Sequence, residues 1–152
     1  MILTTHMLAG AAVASRISNP FLALPLALLS HYFLDMIPHD DYSIANIKEK
    51  RWNKSFFDFS RVFFDIFIGI SLISLFSNYN PIIYFAAFLG IVPDGVTLFN
   101  IIFSENKLTT WHQKLHTAVN TIGDRKENKK IPVFWGILSQ IIIASISIIF
   151  LR

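Results

Sequence analysis

Two pairs of side chains set the chemistry open to this 152-residue chain. His31 and Asp35 stand at i and i+4, and so do His112 and His116 in Trp111-His112-Gln113-Lys114-Leu115-His116. On a helix this spacing puts both members on one face. Each pair then offers two ligands to one ion, as in helical zinc sites. The chain has no cysteine, so disulfides and thiolate metal sites are excluded. Histidine nitrogen and carboxylate oxygen suit zinc first, with manganese, iron and magnesium also compatible. His6, His31, Asp35, Asp94, His112 and His116 are therefore the expected metal ligands. Asp65 and His39 are expected as a further ligand, an orienting group or a catalytic base.

The elements that must position these residues are unusually apolar. The chain is 53% hydrophobic and 15% charged, with fifteen phenylalanines, whereas a soluble domain is nearer a quarter charged. The composition points to lipid as solvent. Five apolar stretches follow one another at about 2–17, 20–37, 62–77, 81–103 and 131–151. A spanning helix needs about 20 largely apolar residues. The fifth stretch meets that outright, the second and fourth come close, and the third does so if extended back over Arg61. The first is short and reads as a tilted or partly immersed helix. The expected fold is all-α: one domain over 1–152, an integral membrane bundle of four to five transmembrane helices. A short helix over 109–120, capped by Thr109 or Thr110, is expected on its cytoplasmic side.

Charge gives the orientation. If all five stretches span, the loops at 38–61 and 104–130 fall on one side. They carry Lys48, Lys50, Arg51, Lys54, Arg61, Lys107, Lys114, Arg125, Lys126, Lys129 and Lys130, all but two of the thirteen basic residues. The positive-inside rule makes that side cytoplasmic, with the N-terminus inside. The basic residues form no continuous stripe, so no nucleic-acid partner is expected. Trp52, Trp111 and Trp135 fall near predicted interfaces, where tryptophan anchors helices.

Depth brings the ionisable groups together. At 1.5 Å per residue, His31 and Asp35 lie about 17 and 23 Å from Pro20, and Asp94 about 20 Å from Pro81. His6, Asp65, His39, Asp40, His112 and His116 fall at the same face. An ionisable group near the bilayer centre costs roughly 2.5–3.5 kcal/mol on insertion scales, so something must offset that cost. Plain alternatives exist for each residue. Asp65 could pair with Arg61 one turn away, Asp94 could cap a helix after Pro93, and His39, Asp40 and Asp41 could be turn residues. The two i, i+4 pairs could be buried hydrogen-bonded pairs. A short echo, Phe33-Leu34-Asp35-Met36-Ile37-Pro38 against Phe88-Leu89-Gly90-Ile91-Val92-Pro93, suggests two related hairpins.

The segment Thr5-His6-Met7-Leu8-Ala9-Gly10-Ala11-Ala12, the run His31-x-x-x-Asp35-x-x-Pro38-His39-x-Asp41, the Pro93-Asp94 step and His112-x-x-x-His116 resemble a known family. It is that of the small bacterial and archaeal membrane-bound metal-dependent hydrolases. The chain is also distantly similar to zinc-dependent phospholipase C. Where many such membrane proteins carry His-Arg-Gly-x-Thr-His-Ser, this chain has Trp111 to Thr117. The resemblance implies hydrolysis of phosphoester or phospholipid-type substrates at the inner membrane surface. The expected partners are membrane lipid and an anionic substrate. A cation could lower the pKa of bound water to around 7. The competing expectation is a non-enzymatic membrane protein, either a metal transporter or a scaffold whose His and Asp residues pair internally. Transport predicts polar groups along the whole path, yet the outer half carries only rim residues such as Ser18, Asn19, Ser77, Asn78 and Asn80.

Overall fold

A computed structural model describes residues 1–103, 107–123 and 132–152. Of the sequence-based expectations, Arg125, Lys126, Lys129, Lys130 and the start of the fifth stretch at Ile131 lie outside them. The described residues are all-helical: α1 (Leu3–Arg16), α2 (Pro20–Asp35), α3 (Ala45–Lys48), α4 (Phe56–Phe76), α5 (Pro81–Phe103), α6 (Lys107–Gly123) and α7 (Val133–Leu151), with a 3-10 turn at Trp52–Lys54. Helices α4, α5 and α7 are long and apolar enough to cross a membrane, and α2 is a shorter apolar helix.

The bundle buries histidines and aspartates while its large apolar side chains face outward. Phe21 is 89% exposed while His6 and His31 are fully buried. In water this would forfeit the hydrophobic effect, whereas in lipid it costs nothing. Only Asp58, Asp65, Gly69 and Ile73 of α4 are buried, and only Gly136, Gln140, Ser147 and Leu151 of α7. Helices α4 and α7 thus each turn one narrow stripe inward. The stripe of α2 is Ala23, Ala27, His31 and Asp35, a strict i+4 series that ends in the His31–Asp35 pair.

Helix α1 is the centre of the bundle. It packs against α2, α4, α5 and α7, and nine of its fourteen residues are buried. Its small residues make this possible. A Cβ on Gly10 would meet the Ala86 carbonyl oxygen at 2.6 Å, and one on Gly90 would meet the His6 carbonyl oxygen at 2.6 Å. Backbones of α1 and α5 therefore touch at two points, the small-residue contact that packs helices in lipid. Beyond this crossing the core is apolar, built from Leu8, Ala11, Ala14, Ala23, Ile73, Ile83, Ala87 and Leu151.

Helix starts have local causes. The Asn19 side chain accepts the Phe21 N–H and that of Asn80 the Ile82 N–H, each with proline next. That is the asparagine cap followed by proline at the first helical position. The third stretch begins at Phe56, earlier than expected, because Asp58 and Arg61 are satisfied at the helix start. Asp58 accepts the N–H groups of Asn46 and Ile47 at the head of α3, and Arg61 lies 3.6 Å from Asp58 and donates to the Ser43 carbonyl. Arg61 therefore pairs with Asp58, not Asp65. Helix α5 runs unbroken through Pro93, so Asp94 caps no new helix. Pro38 lies past the end of α2 whereas Pro93 lies inside α5, so the two echoing segments occupy different places in their hairpins. Thr109 is within α6, which starts at Lys107, and its hydroxyl donates to Asn100 of α5 at 2.6 Å.

Candidate metal centre

Four helices bring five of the expected ligands to one place. His6 comes from α1, His31 and Asp35 from α2, Asp94 from α5 and His116 from α6. His31 Nε2 lies 3.1 Å from Asp35 Oδ2, 2.9 Å from His116 Nε2 and 3.8 Å from Asp94 Oδ1. His116 Nε2 lies 3.1 Å from Asp35 Oδ2 and 3.3 Å from Asp94 Oδ1. His6 Nε2 lies 3.2 Å from Asp35 Oδ1, and its ring stacks on His31. The sets His6, His31, Asp94 and His31, Asp35, His116 each gather ligand atoms within 4.8 Å of one another. Two ligands about 2.0–2.1 Å from a tetrahedral ion stand about 3.3 Å apart, which these separations match.

Three further features fit a cation. First, both ring nitrogens of His6 are buried without a hydrogen-bond partner. A buried polar atom left so costs about 1–3 kcal/mol, and a ligand bond to Nε2, the nitrogen that faces Asp35, removes that atom's share. Second, His31 Nδ1 is 2.8 Å from the Gly90 carbonyl. A carbonyl only accepts, so Nδ1 carries the proton and Nε2 turns its lone pair to the cluster. This is the outer hydrogen bond that orients metal-ligating histidines. Third, Asp94 remains 27% exposed while Asp35 is buried, so the cluster opens at one edge.

The position of His6 is fixed by the N-terminus of α1, and here Asp65 acts. Its Oδ2 accepts the Leu3 N–H at 2.7 Å, and its Oδ1 accepts the Thr4 N–H at 3.0 Å and the Thr4 hydroxyl at 2.6 Å. Gln140 of α7 accepts the Ile2 N–H at 3.0 Å. Side chains of neighbouring helices thus satisfy N–H groups that a helix start leaves open, and the negative charge suits that end of the helix dipole. Both Asp65 oxygens are engaged at the head of α1 rather than at the cluster. A lone glutamine in an otherwise apolar stretch was the sequence signal for Gln140.

His112 and His116 part company. His116 enters the cluster, while His112 Nε2 faces the Tyr32 hydroxyl at 3.1 Å. Burial and the neighbouring His116 lower the His112 pKa. Burial would lower that of His116 too, but hydrogen bonds to Asp35 and Asp94 outweigh it and raise it to about 9. Without a cation, a proton on His116 holds the carboxylates together. His39 stands at the rim, 4.0 Å from Asp35 and 3.6 Å from Asp41, with Nδ1 donating to the Ile37 carbonyl. Burial opposes its charge, yet pairing with Asp41 leaves its pKa raised. Its turn is docked on α7: Gln140 donates to the Asp40 carbonyl and Ser139 to that of Pro38. A Cβ on Gly136 would meet the Asp40 nitrogen at 2.8 Å.

Comparison with protein-family models, curated proteins and solved structures finds no match to the chain. The functional reading therefore rests on the geometry of the cluster and on the motifs quoted above.

Proposed function

We propose that this chain is a membrane-bound, metal-dependent hydrolase of phosphoester substrates, acting at the cytoplasmic face of the cell membrane. The observation that carries the reading is the convergence of His6, His31, Asp35, Asp94 and His116, with His6 fully buried and its Nε2 turned to Asp35 at 3.2 Å. A divalent cation there, zinc first by its ligands and manganese, iron or magnesium next, would supply Lewis acidity for ionising water and drawing charge from a phosphoryl oxygen. The chain's own residues do the positioning. Gly90 sets the His31 tautomer, Asp65 and Gln140 hold the head of α1, and Asp94 lies at the open edge where substrate arrives. His39 offers an imidazole at the rim. Lys48, Lys50, Arg51 and Lys54 would attract an anionic substrate, and the same residues place this face inside by the positive-inside rule.

A transporter or an inert scaffold is the competing class. The apolar core beyond the α1–α5 crossing favours a one-sided site over a path through the bundle. The test is metal analysis of detergent-purified protein and of His31→Ala, followed by assay with a soluble phosphodiester and a phospholipid. Stoichiometric metal in the parent, lost in the variant, with hydrolysis that follows it, is expected. A metal-free parent sinks the proposal, and metal without hydrolysis of either substrate leaves a binding protein.

A further inference from the structure

A groove of about 370 Å³ runs beside the cluster between α1, the turn at 40–42 and α7. This is the size range of ligand pockets. Its mouth is polar, lined by Asp40, Asp41 and Tyr42, with Thr5 farther in along α1. The Thr5 hydroxyl there is buried and has no hydrogen-bond partner, although Thr5 is only 1% exposed. Asp41 connects the mouth to the cluster, through His39 at 3.6 Å and from His39 to Asp35 at 4.0 Å. The wall that runs inward from this mouth along α7 is hydrocarbon: Ile137, Ile141 and Ala144.

The direction of this gradient matters. Helix α7 starts at Val133 on the loop side. At 1.5 Å per residue, Ile137 lies about 6 Å and Ala144 about 16 Å along it. The groove therefore descends from the interface to near the middle of a hydrocarbon core about 30 Å thick. A lipid of the adjoining leaflet already has this orientation, head at the surface and tail at the midplane.

We infer that the groove takes one acyl chain of a phosphoester lipid entering sideways from that leaflet, with the head group at the turn 40–42 beside the His/Asp cluster. The inference rests on the proposed hydrolase reading only for what happens at the head group, since the acyl groove stands on its own walls. It makes the substrate an amphiphile delivered by the bilayer, with no step through water.

The test reads occupancy without turnover. The protein is reconstituted in vesicles of a phospholipid whose acyl chain carries a photoactivatable group, and labelled residues are mapped. Labelling concentrated at Ile137, Ile141 and Ala144 is expected, falling to the level of ordinary surface lipid in Ala144→Trp, which fills the groove. Ile142, Ile146 and Ile149, exposed elsewhere on α7, report that ordinary lipid. Equal labelling at both sets overturns the inference. Metal content measured on the same preparation separates the two readings. Preferential labelling in metal-free protein refutes the hydrolase and keeps the groove, and bound metal with uniform labelling refutes the groove alone. With activity in hand, Ala144→Trp should lose long-chain lipid hydrolysis and keep that of a soluble phosphodiester. Equal loss of both counts against the groove.

Discussion

Gly90→Ala should cost the protein its metal while leaving the fold recognisable. The added Cβ would sit 2.6 Å from the His6 carbonyl oxygen and 3.3 Å from its carbon. Both are backbone atoms, so neither can swing aside. Ordinary contact begins near 3.4 Å, so α1 and α5 must separate by about 0.8 Å, the difference between 3.4 and 2.6 Å. That shift moves His6 away from His31 and Asp94 and draws the Gly90 carbonyl off His31 Nδ1. Metal–ligand distances tolerate only about 0.2 Å, and loss of one outer hydrogen bond alone typically lowers metal affinity about 10–100-fold. Overpacking a tight crossing costs about 1–3 kcal/mol. Competition with a fluorescent zinc chelator should show a loss of affinity at the upper end of that range or beyond it. Melting in detergent should fall modestly. Gly95→Ala is the control: nothing lies within 4 Å of its Cβ position, so its affinity should match the parent. A folded Gly90→Ala protein binding zinc as tightly as Gly95→Ala would refute the reasoning.

Other substitutions separate the roles argued above. Asp35→Asn should abolish stoichiometric metal, because Asp35 faces His6, His31 and His116, whereas His112→Ala should retain it; metal analysis of both decides, and equal loss would return His112 to the ligand set. Asp65→Asn turns an amide N–H toward the head of α1 and should lower stability by about 1–3 kcal/mol, read as a lower melting temperature; an unchanged one would mean that the cap contributes little. In chelator-treated protein, His116 has a folded pKa raised to about 9 from the usual value near 6.5. Its contribution is therefore fully present below pH 6.5 and is lost as pH rises through 9. Melting in the metal-free form should fall over that window, and a flat profile would contradict the pairing. Because the chain lacks cysteine, single cysteines at Lys48 and Asn78 report orientation. An impermeant maleimide applied to intact cells should label Asn78→Cys and spare Lys48→Cys.

Much of the site is legible in the sequence because its residues violate their surroundings. His31, Asp35 and Asp94 stand out against apolar helices, and the rise per residue places them at one depth. What depth alone lacks is azimuth. His112 and His116 share a spacing that suits a shared ion, yet Tyr32 faces the first and the cluster receives the second. Asp65 looks like a ligand by type and depth, and only the packing of α4 against α1 reveals the backbone N–H groups that it meets. The length of α1 likewise says nothing of its central place. Fourteen residues are too few for a comfortable lone span, but a helix enclosed by α2, α4, α5 and α7 does not meet lipid around its whole girth. Gly10 and Gly90 carry that arrangement, and a glycine within an apolar helix gives no sign of which backbone it admits.

The central place of α1 also constrains how the molecule is made. Synthesis produces α1 before any of the four helices that enclose it, and the glutamine that receives its Ile2 N–H arrives only with α7. The hold on the head of α1 is complete only when nearly the whole described chain is made. Contacts between such distant parts of a sequence form late. An interrupted chain ending before α7 would carry all five clustered residues, with Asp65 but not Gln140 to hold the head of α1.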